Sequence, residues 1–146
     1  MLTYEASVAT RASAEAAWAA WTDVARWSRY DHIESAQLDG EFRVGAVVTS
    51  KAKGFPSSKL TVTRAERPTL WVDESRSPGM QMTFDHVVET GDGGTRLTER
   101  VRISGPLGRV FGPLLRRKLE ALFATSVATV ARDAEAAEAA AQPPAP

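Results

Sequence analysis

The chain has 146 residues, of which 43% are hydrophobic and 25% are charged, so its length and composition are those of one ordinary globular domain. It contains no cysteine, which excludes disulfides, thiolate metal sites and a cysteine nucleophile. Its 18 basic and 18 acidic residues give a net charge of zero. Nucleic-acid binding usually needs a basic excess that neutralises phosphates, so we do not expect a nucleic-acid partner.

The N-terminus alternates apolar and polar residues, with Tyr4, Ala6 and Val8 on one side of the chain. This period of two predicts a half-buried first strand. The opening residues lack the basic segment and apolar run of a signal peptide, and no stretch approaches the ~20 apolar residues that span a bilayer. We therefore expect a cytoplasmic protein without a transmembrane segment.

Two short helices are predicted after the first strand. Ser13 can cap the first helix, and Glu15 lies in its first turn, where the helix dipole favours a negative charge. Trp18 and Trp21 follow at helical spacing. Asp23 can cap a second short helix over residues 23–28.

Six further strand segments follow, and short runs rich in Gly, Pro, Asp or Ser separate them. The segments are residues 33–38, 46–53, 58–66, 69–75, 80–90 and 95–104. Turns this short and this evenly spaced favour sequential antiparallel pairing in a meander of hairpins. With the first strand, the sequence predicts seven strands.

The C-terminal segment has a different pattern, because apolar residues from Leu107 to Val130 follow a three–four spacing. This spacing predicts one apolar stripe on a long helix that runs to about Ala141. Gly112 and Pro113 interrupt the stripe early, and Pro113 suits the first turn of the main helix. Residues 135–141 have little to bury and are expected to fray, and residues 142–146 are expected to form a disordered tail.

These elements predict a single α+β domain over residues 1–141, in which the long helix lies across a curved seven-stranded antiparallel sheet. The two short helices lie between strands one and two. A single helix covers only one face of an antiparallel sheet. Because one helix cannot fill a wide curled sheet, the prediction includes a cavity between the sheet and the long helix.

Three stretches of the chain carry a resemblance to a known family. They are WTDVARWSRYD at residues 21–31, MTFDH at 82–86 with GTRLT at 94–98, and SGPL at 104–107. With them, residues 3 to about 135 resemble the START-like, Bet v 1-like (SRPBCC) superfamily, and within it the bacterial polyketide cyclase/dehydrase and lipid-transport group. The resemblance implies a helix-grip fold with a deep hydrophobic cavity. Similar proteins hold lipids, polyketides or hormones there, and a minority catalyse cyclisation or dehydration.

Two polar residues, His86 and Glu99, fall on otherwise apolar strand faces. A tight turn near Asp92-Gly93 places them opposite each other in the last hairpin. Such a pair could act as a catalytic base and its orienting carboxylate. It could also be a buried structural pair, or a wall group that orients a ligand, since buried polar groups need partners. We favour the ligand-orienting reading.

The remaining candidates are apolar or aromatic residues. Trp27, Tyr30 and Phe55 lie in or near loops that would ring the mouth of the cavity. The expected ligand-binding residues of the sheet and the long helix, besides His86 and Glu99, are Trp71, Met82, Phe84, Val101, Phe111, Leu115 and Leu119. Asp73 shares one face of its strand with Trp71 and Ser75 and could point inward, but Leu70 and Val72 compete for the inner face. The favoured interpretation is an exposed residue at a strand edge.

The leading functional hypothesis is a binder of an apolar or aromatic small molecule, lipid or polyketide-like, rather than an enzyme. One alternative is a polyketide cyclase/dehydratase-type enzyme that uses His86 and Glu99. The other is a membrane-surface or partner-binding protein that uses the basic residues Arg116, Arg117 and Lys118. Two histidines without a cysteine make a metal site unexpected, and no cofactor motif is present.

Overall fold

The computed structural model describes residues 1–142. In chain order the elements are β1 (Leu2–Thr10), α1 (Ala14–Thr22), α2 (Val24–Trp27), β2 (Ile33–Asp39), β3 (Val47–Ala52), β4 (Ser58–Glu66), β5 (Leu70–Ser77), β6 (Met80–Gly91), β7 (Gly94–Ser104) and α3 (Pro106–Ala141). All strand pairs are antiparallel, in the order β1-β7-β6-β5-β4-β3-β2. The predicted α+β helix-grip fold with seven strands is confirmed.

The two short helices form where the sequence predicts them. The Ser13 hydroxyl caps α1 by accepting a hydrogen bond from the Ala16 backbone N–H at 3.1 Å. Trp18 and Trp21 bury the inner face of α1. Asp23 precedes α2, but its carboxylate pairs with the Arg26 guanidinium at 3.1 Å instead of capping the helix.

The long helix differs from the prediction at its start. It begins at Pro106 after the positive-φ residue Gly105 and runs unbroken through Pro113, which is therefore inside the helix rather than in its first turn. A proline there removes one backbone hydrogen bond. The carbonyl that loses its partner belongs to the exposed residue Arg109, where water can replace the bond.

Two glycines determine which face of α3 meets the sheet at this end. A Cβ atom on Gly108 would lie 2.9 Å from the Ile103 side chain, and one on Gly112 would clash with the side chain of Leu2. The helix therefore approaches the sheet closely on its glycine face. The apolar residues of its first turns point outward and are exposed, in contrast to the predicted continuous buried stripe; they are Leu107, Val110, Phe111 and Leu114.

At the other end of α3, two acidic side chains connect the helix to the β1–α1 junction, and fraying of its last turn remains a prediction. Glu135 accepts a hydrogen bond from the Thr10 hydroxyl at 2.5 Å, and Glu138 accepts from both the hydroxyl and the backbone N–H of Ser13. The helix ends at Ala141. The predicted disordered tail lies, except for Gln142, outside the described residues.

The core consists of two clusters on the inner face of the sheet. One lies beneath α1 and includes Trp18, Trp21 and Trp71, and the other packs the middle of α3, around Phe123, against β1 and β7. Leu122, expected in the middle of the buried stripe, is only half-buried. Within residues 1–142, no helix combines the length and the apolar character needed to cross a membrane.

Candidate ligand-binding cavity

A cavity of about 590 Å³ lies between the inner face of the sheet and α3. Its apolar wall residues include Trp21, Trp27, Ile33, Phe55, Leu60, Met80, Met82, Phe84, Leu115, Leu119, Leu122, Phe123 and Val130. Its polar residues include Tyr30, His32, Lys59, Asp73, Arg76, His86, Glu99 and Ser126. Mostly apolar walls with a few polar groups are typical of small-molecule sites, and the volume suits a small organic molecule.

A larger depression of about 1090 Å³ lies on the outer face of the sheet. It is open, and charged side chains such as Arg64, Glu74 and Arg102 line it. Outward-facing polar residues of this kind are expected on the solvated face of an antiparallel sheet. The inner cavity is therefore the better candidate for a ligand site.

Most of the predicted site residues lie at the inner cavity. Trp27, the last residue of α2, borders it together with the loop residues Tyr30 and Phe55. The strand and helix residues at its wall are Met82, Phe84, His86, Glu99, Leu115 and Leu119. Their contact with a ligand remains a prediction.

Three predicted residues lie elsewhere. Trp71 and Val101 are fully buried in the core behind the wall. Phe111 is 49% exposed on the outside of α3, because the glycine face of the helix meets the sheet there. None of the three borders the cavity.

Asp73 was missed as a cavity residue, and its interpretation as an exposed strand-edge residue is wrong. β5 lies between β4 and β6, and Asp73 pairs with Phe84 on the inner face. The side chain is only 2% exposed and lines the cavity. Its alternation with Trp71 and Ser75 was the signal in the sequence.

His86 pairs directly with Glu99 across β6 and β7, as the turn at Asp92-Gly93 predicts. The imidazole stacks flat on the Trp71 ring, with centroids 3.4 Å apart and planes 1° apart. Its Nδ1 lies 3.3 Å from the Trp71 carbonyl oxygen, which can only accept, so Nδ1 carries the proton. Burial lowers the pKa of His86 to about 3, so the ring is neutral at physiological pH.

The two acidic side chains of the wall are also perturbed by burial. Burial raises the pKa of Glu99 to about 7, although the Ser126 hydroxyl, which donates to Oε1 at 2.9 Å, opposes the shift. Burial raises the pKa of Asp73 well above its ordinary value, and the nearby Glu99 charge raises it further. Within residues 1–142, no hydrogen bond joins His86 to Glu99. The base-and-orienter arrangement is therefore not formed.

Polar contacts with α3 fix both sides of the cavity mouth. The Tyr30 hydroxyl donates a hydrogen bond to the Asp133 carboxylate at 2.8 Å, and Arg26 donates to the same oxygen at 2.8 Å. On the other side, the Lys118 ammonium donates to the Gly54 carbonyl and lies 4.7 Å from the centre of the Phe55 ring. The two aromatic rings at the mouth are thereby positioned by the helix.

A curved antiparallel sheet that grips a long C-terminal helix around an apolar cavity defines the helix-grip class of fold. The model of the family described as polyketide cyclase/dehydrase and lipid transport matches residues 1–135. The chain belongs to this family. No curated protein sequence matches the chain.

Solved structures of other proteins share the fold at low identity. The di-domain ARO/CYC protein StfQ from the steffimycin biosynthetic pathway is 12% identical, with a TM-score of 0.78 over 94% of this chain and 51% of that chain. This chain thus spans about half the length of StfQ. A hypothetical protein from Helicobacter pylori is 10% identical, with a TM-score of 0.72 over 90% of this chain and 86% of that chain. A third structure is a point mutant of Thalictrum flavum norcoclaurine synthase in complex with a transition-state analogue. It is 13% identical, with a TM-score of 0.71 over 94% of this chain and 96% of that chain.

Proposed function

We propose that the protein binds an apolar or aromatic small molecule, lipid or polyketide-like, in the cavity between the sheet and α3. The observation that carries the proposal is the cavity itself, about 590 Å³ with aromatic and aliphatic walls. An apolar cavity of this size gains free energy when an apolar ligand displaces its water. Membership of a family described by cyclase, dehydrase and lipid-transport activities supports the same reading.

The neighbouring residues Leu114 and Leu115 provide a matched test of the cavity. Leu115 lines the cavity, whereas Leu114 is 75% exposed on the outside of the same helix. Leu115→Trp is expected to fill the space and weaken binding of the neutral apolar probe N-phenyl-1-naphthylamine by about tenfold or more, since close-packed sites do not accept added volume. The measurement is a titration of probe fluorescence with protein.

Leu114→Trp is the control, because it adds the same side chain outside the cavity. Its affinity for the probe should equal that of the wild type. Equal probe binding by the two variants would contradict the cavity as the binding site. Independently, native mass spectrometry of the purified wild-type protein would detect any small molecule that copurifies with it.

A cyclase/dehydratase-type enzyme that uses His86 and Glu99 is a second candidate. The observation in its favour is the Glu99 carboxyl at the cavity wall, whose pKa of about 7 suits a general acid or base. Against it, the neutral His86 ring is bonded toward Trp71 and is a weak base. Turnover of a polyketide-like substrate would change the assignment from carrier to enzyme.

A membrane-surface role is a third candidate, and the exposed start of α3 favours it. Leu107, Val110, Phe111 and Leu114 have the spacing of one helix face, and all four are exposed. Arg117 and Lys118 follow one turn after Leu114. An exposed apolar stripe beside basic side chains is complementary to an anionic bilayer surface.

Vesicle binding tests this surface. Leu114→Asp is expected to reduce the fraction of protein that sediments with phosphatidylglycerol-containing vesicles by about tenfold, because a charge replaces an inserted apolar group. The control, Val44→Asp, changes another exposed apolar residue away from α3. If Leu114→Asp alters the oligomeric state instead, the stripe is an interface between two copies of the chain.

A further inference from the structure

Two acidic side chains, Asp73 and Glu99, reach the cavity wall from β5 and β7, with β6 between them. They are 2% and 8% exposed. No cation within residues 1–142 compensates either one, and each interacts instead with other acids or with a neutral hydroxyl. The permanently charged residues at the cavity, Lys59 and Arg76, are exposed, and Arg76 pairs with Glu74. Burial lowers the pKa of His32, which also lines the cavity, and so favours its neutral ring.

The hydrogen bonding of the pair is incomplete on the cavity side. Asp73 Oδ1 is buried and has no hydrogen-bond partner among residues 1–142. Ser126 engages only one oxygen of Glu99. Buried polar atoms almost always have a partner. Asp73 lines the cavity, so its unpaired oxygen indicates a place where a small side-chain rotation would let a polar ligand group bind.

The surroundings of the pair determine its protonation and therefore its chemistry. An unpaired carboxylate is expensive to bury, and two neighbouring ones also repel each other. Each group lowers this penalty by keeping its proton. A neutral carboxyl group carries an O–H donor in addition to an acceptor, and an acid held neutral by an apolar site can donate a hydrogen bond at neutral pH.

We propose that Asp73 and Glu99 together bind an uncharged carbonyl oxygen, such as that of a ketone or quinone, at one end of an otherwise apolar ligand. This inference rests on the proposed function and adds the chemical class of the ligand. A carboxylate or phosphate at that position would face two acids. An ammonium group would require at least one acid to give up its proton.

The other ionisable groups around the pair do not supply the missing partner. His86 on β6 is opposite Glu99, and Phe84 is opposite Asp73. The His86 ring is neutral and its Nδ1 faces the Trp71 carbonyl. Asp85 affects Asp73 through the sheet. Its carboxylate is on the outer face, bonded by Arg102 at 2.8 and 2.9 Å. On α3, the group that contacts the pair is the uncharged Ser126.

Three naphthalene probes of similar size test the inference: 2-acetonaphthone, 2-naphthylmethylamine and 2-naphthoate. Their binding can be followed by quenching of tryptophan fluorescence, because Trp21 and Trp27 line the cavity. Near pH 6 the ketone should bind about tenfold or more tightly than either charged probe. Since ionisation of Glu99 removes a donor, ketone affinity should fall as the pH rises through about 7.

Substitutions of Glu99 connect this pH dependence to a particular side chain. Glu99→Gln retains an N–H donor that does not titrate, so the fall in ketone affinity between about pH 6 and about pH 8 should flatten. Glu99→Leu removes the donor and should weaken ketone binding about tenfold near pH 6. Glu89→Gln changes an exposed carboxyl and should reproduce the wild-type curve.

The results separate this inference from the proposed function. Naphthoate or amine binding as tight as ketone binding near pH 6 would overturn the carbonyl assignment while leaving the cavity as a binding site. If none of the three probes and no N-phenyl-1-naphthylamine binds the wild-type protein, the proposed function fails and this inference fails with it.

Discussion

Replacing Phe123 with alanine is expected to lower the free energy of unfolding by about 3–5 kcal/mol. The side chain is 0% exposed, in the middle of α3, where it packs with Tyr4, Val101 and Ile103. Its ring meets Phe84 edge to face, with centroids 6.2 Å apart. Truncation removes this contact and enlarges the adjacent cavity. The surrounding side chains can relax only partly into the new space, which adds to the loss of stability.

Urea denaturation at fixed pH measures the effect. Leu114→Ala is the control, since it removes a similar side chain from the exposed face of the same helix and should change stability by less than about 0.5 kcal/mol. A loss below about 1 kcal/mol for Phe123→Ala would contradict the packing of α3 against β6 and β7. Leu122, which is half-buried at the cavity, should give a smaller loss than Phe123.

The sheet could be predicted from the sequence because its signals are local. Runs with a period of two end at glycine, proline or aspartate, and β4 begins and ends at the predicted residues Ser58 and Glu66. The pairing of His86 with Glu99 followed from one tight turn, because the turn fixes the register of the whole hairpin. Such information resides within a few residues of sequence.

The orientation of the first turns of α3 could not be predicted in the same way. An apolar stripe indicates the face that a helix usually buries, and Phe111 lies on that stripe. Gly108 and Gly112 allow a closer approach on another face, with Ile103 and Leu2 directly against the helix backbone. A hydrophobic pattern does not show where two backbones approach closely, so it could not predict that Phe111 lies on the outside of the helix, away from the cavity.

At the candidate site, the sequence predicted the strand register but not the contacts of the side chains. Strand pairing correctly placed His86 opposite Glu99, yet the imidazole stacks on Trp71 and Glu99 bonds to Ser126 from α3. Asp73 was misassigned because Leu70, Trp71 and Val72 are consecutive apolar residues, so the sequence does not show which face of this central strand points inward. Register determines which residues face each other, whereas tertiary packing determines which groups bond.

The buried carboxyl of Glu99 should make the stability of the protein depend on pH. Burial raises its pKa from the ordinary value of 4.5 to about 7. The unfolded chain therefore releases this proton at lower pH than the folded protein does. Between about pH 4.5 and 7 the folded state binds more protons than the unfolded state, so the free energy of unfolding falls as the pH rises. Above pH 7 the full cost of burying the ionised Glu99 is present.

Glu99→Gln should remove this penalty. We expect the variant and the wild type to be equally stable near pH 4, and the variant to be more stable by about 3 kcal/mol near pH 8. His86 has the opposite linkage, because its pKa is lowered to about 3 and protonation on acidification destabilises the folded state. Both proteins contain His86, so its contribution cancels in the difference between them.

Urea denaturation of the two proteins at several pH values gives the difference directly. The exposed residue Glu89 provides the matched control, since Glu89→Gln makes the same chemical change in solvent and should give a small difference. If Glu99→Gln raises the free energy of unfolding by the same amount at pH 4 and pH 8, Glu99 does not titrate abnormally in the folded protein. A gain that grows with pH supports a neutral carboxyl at the cavity wall, because only an acid that keeps its proton on folding produces a difference of that sign.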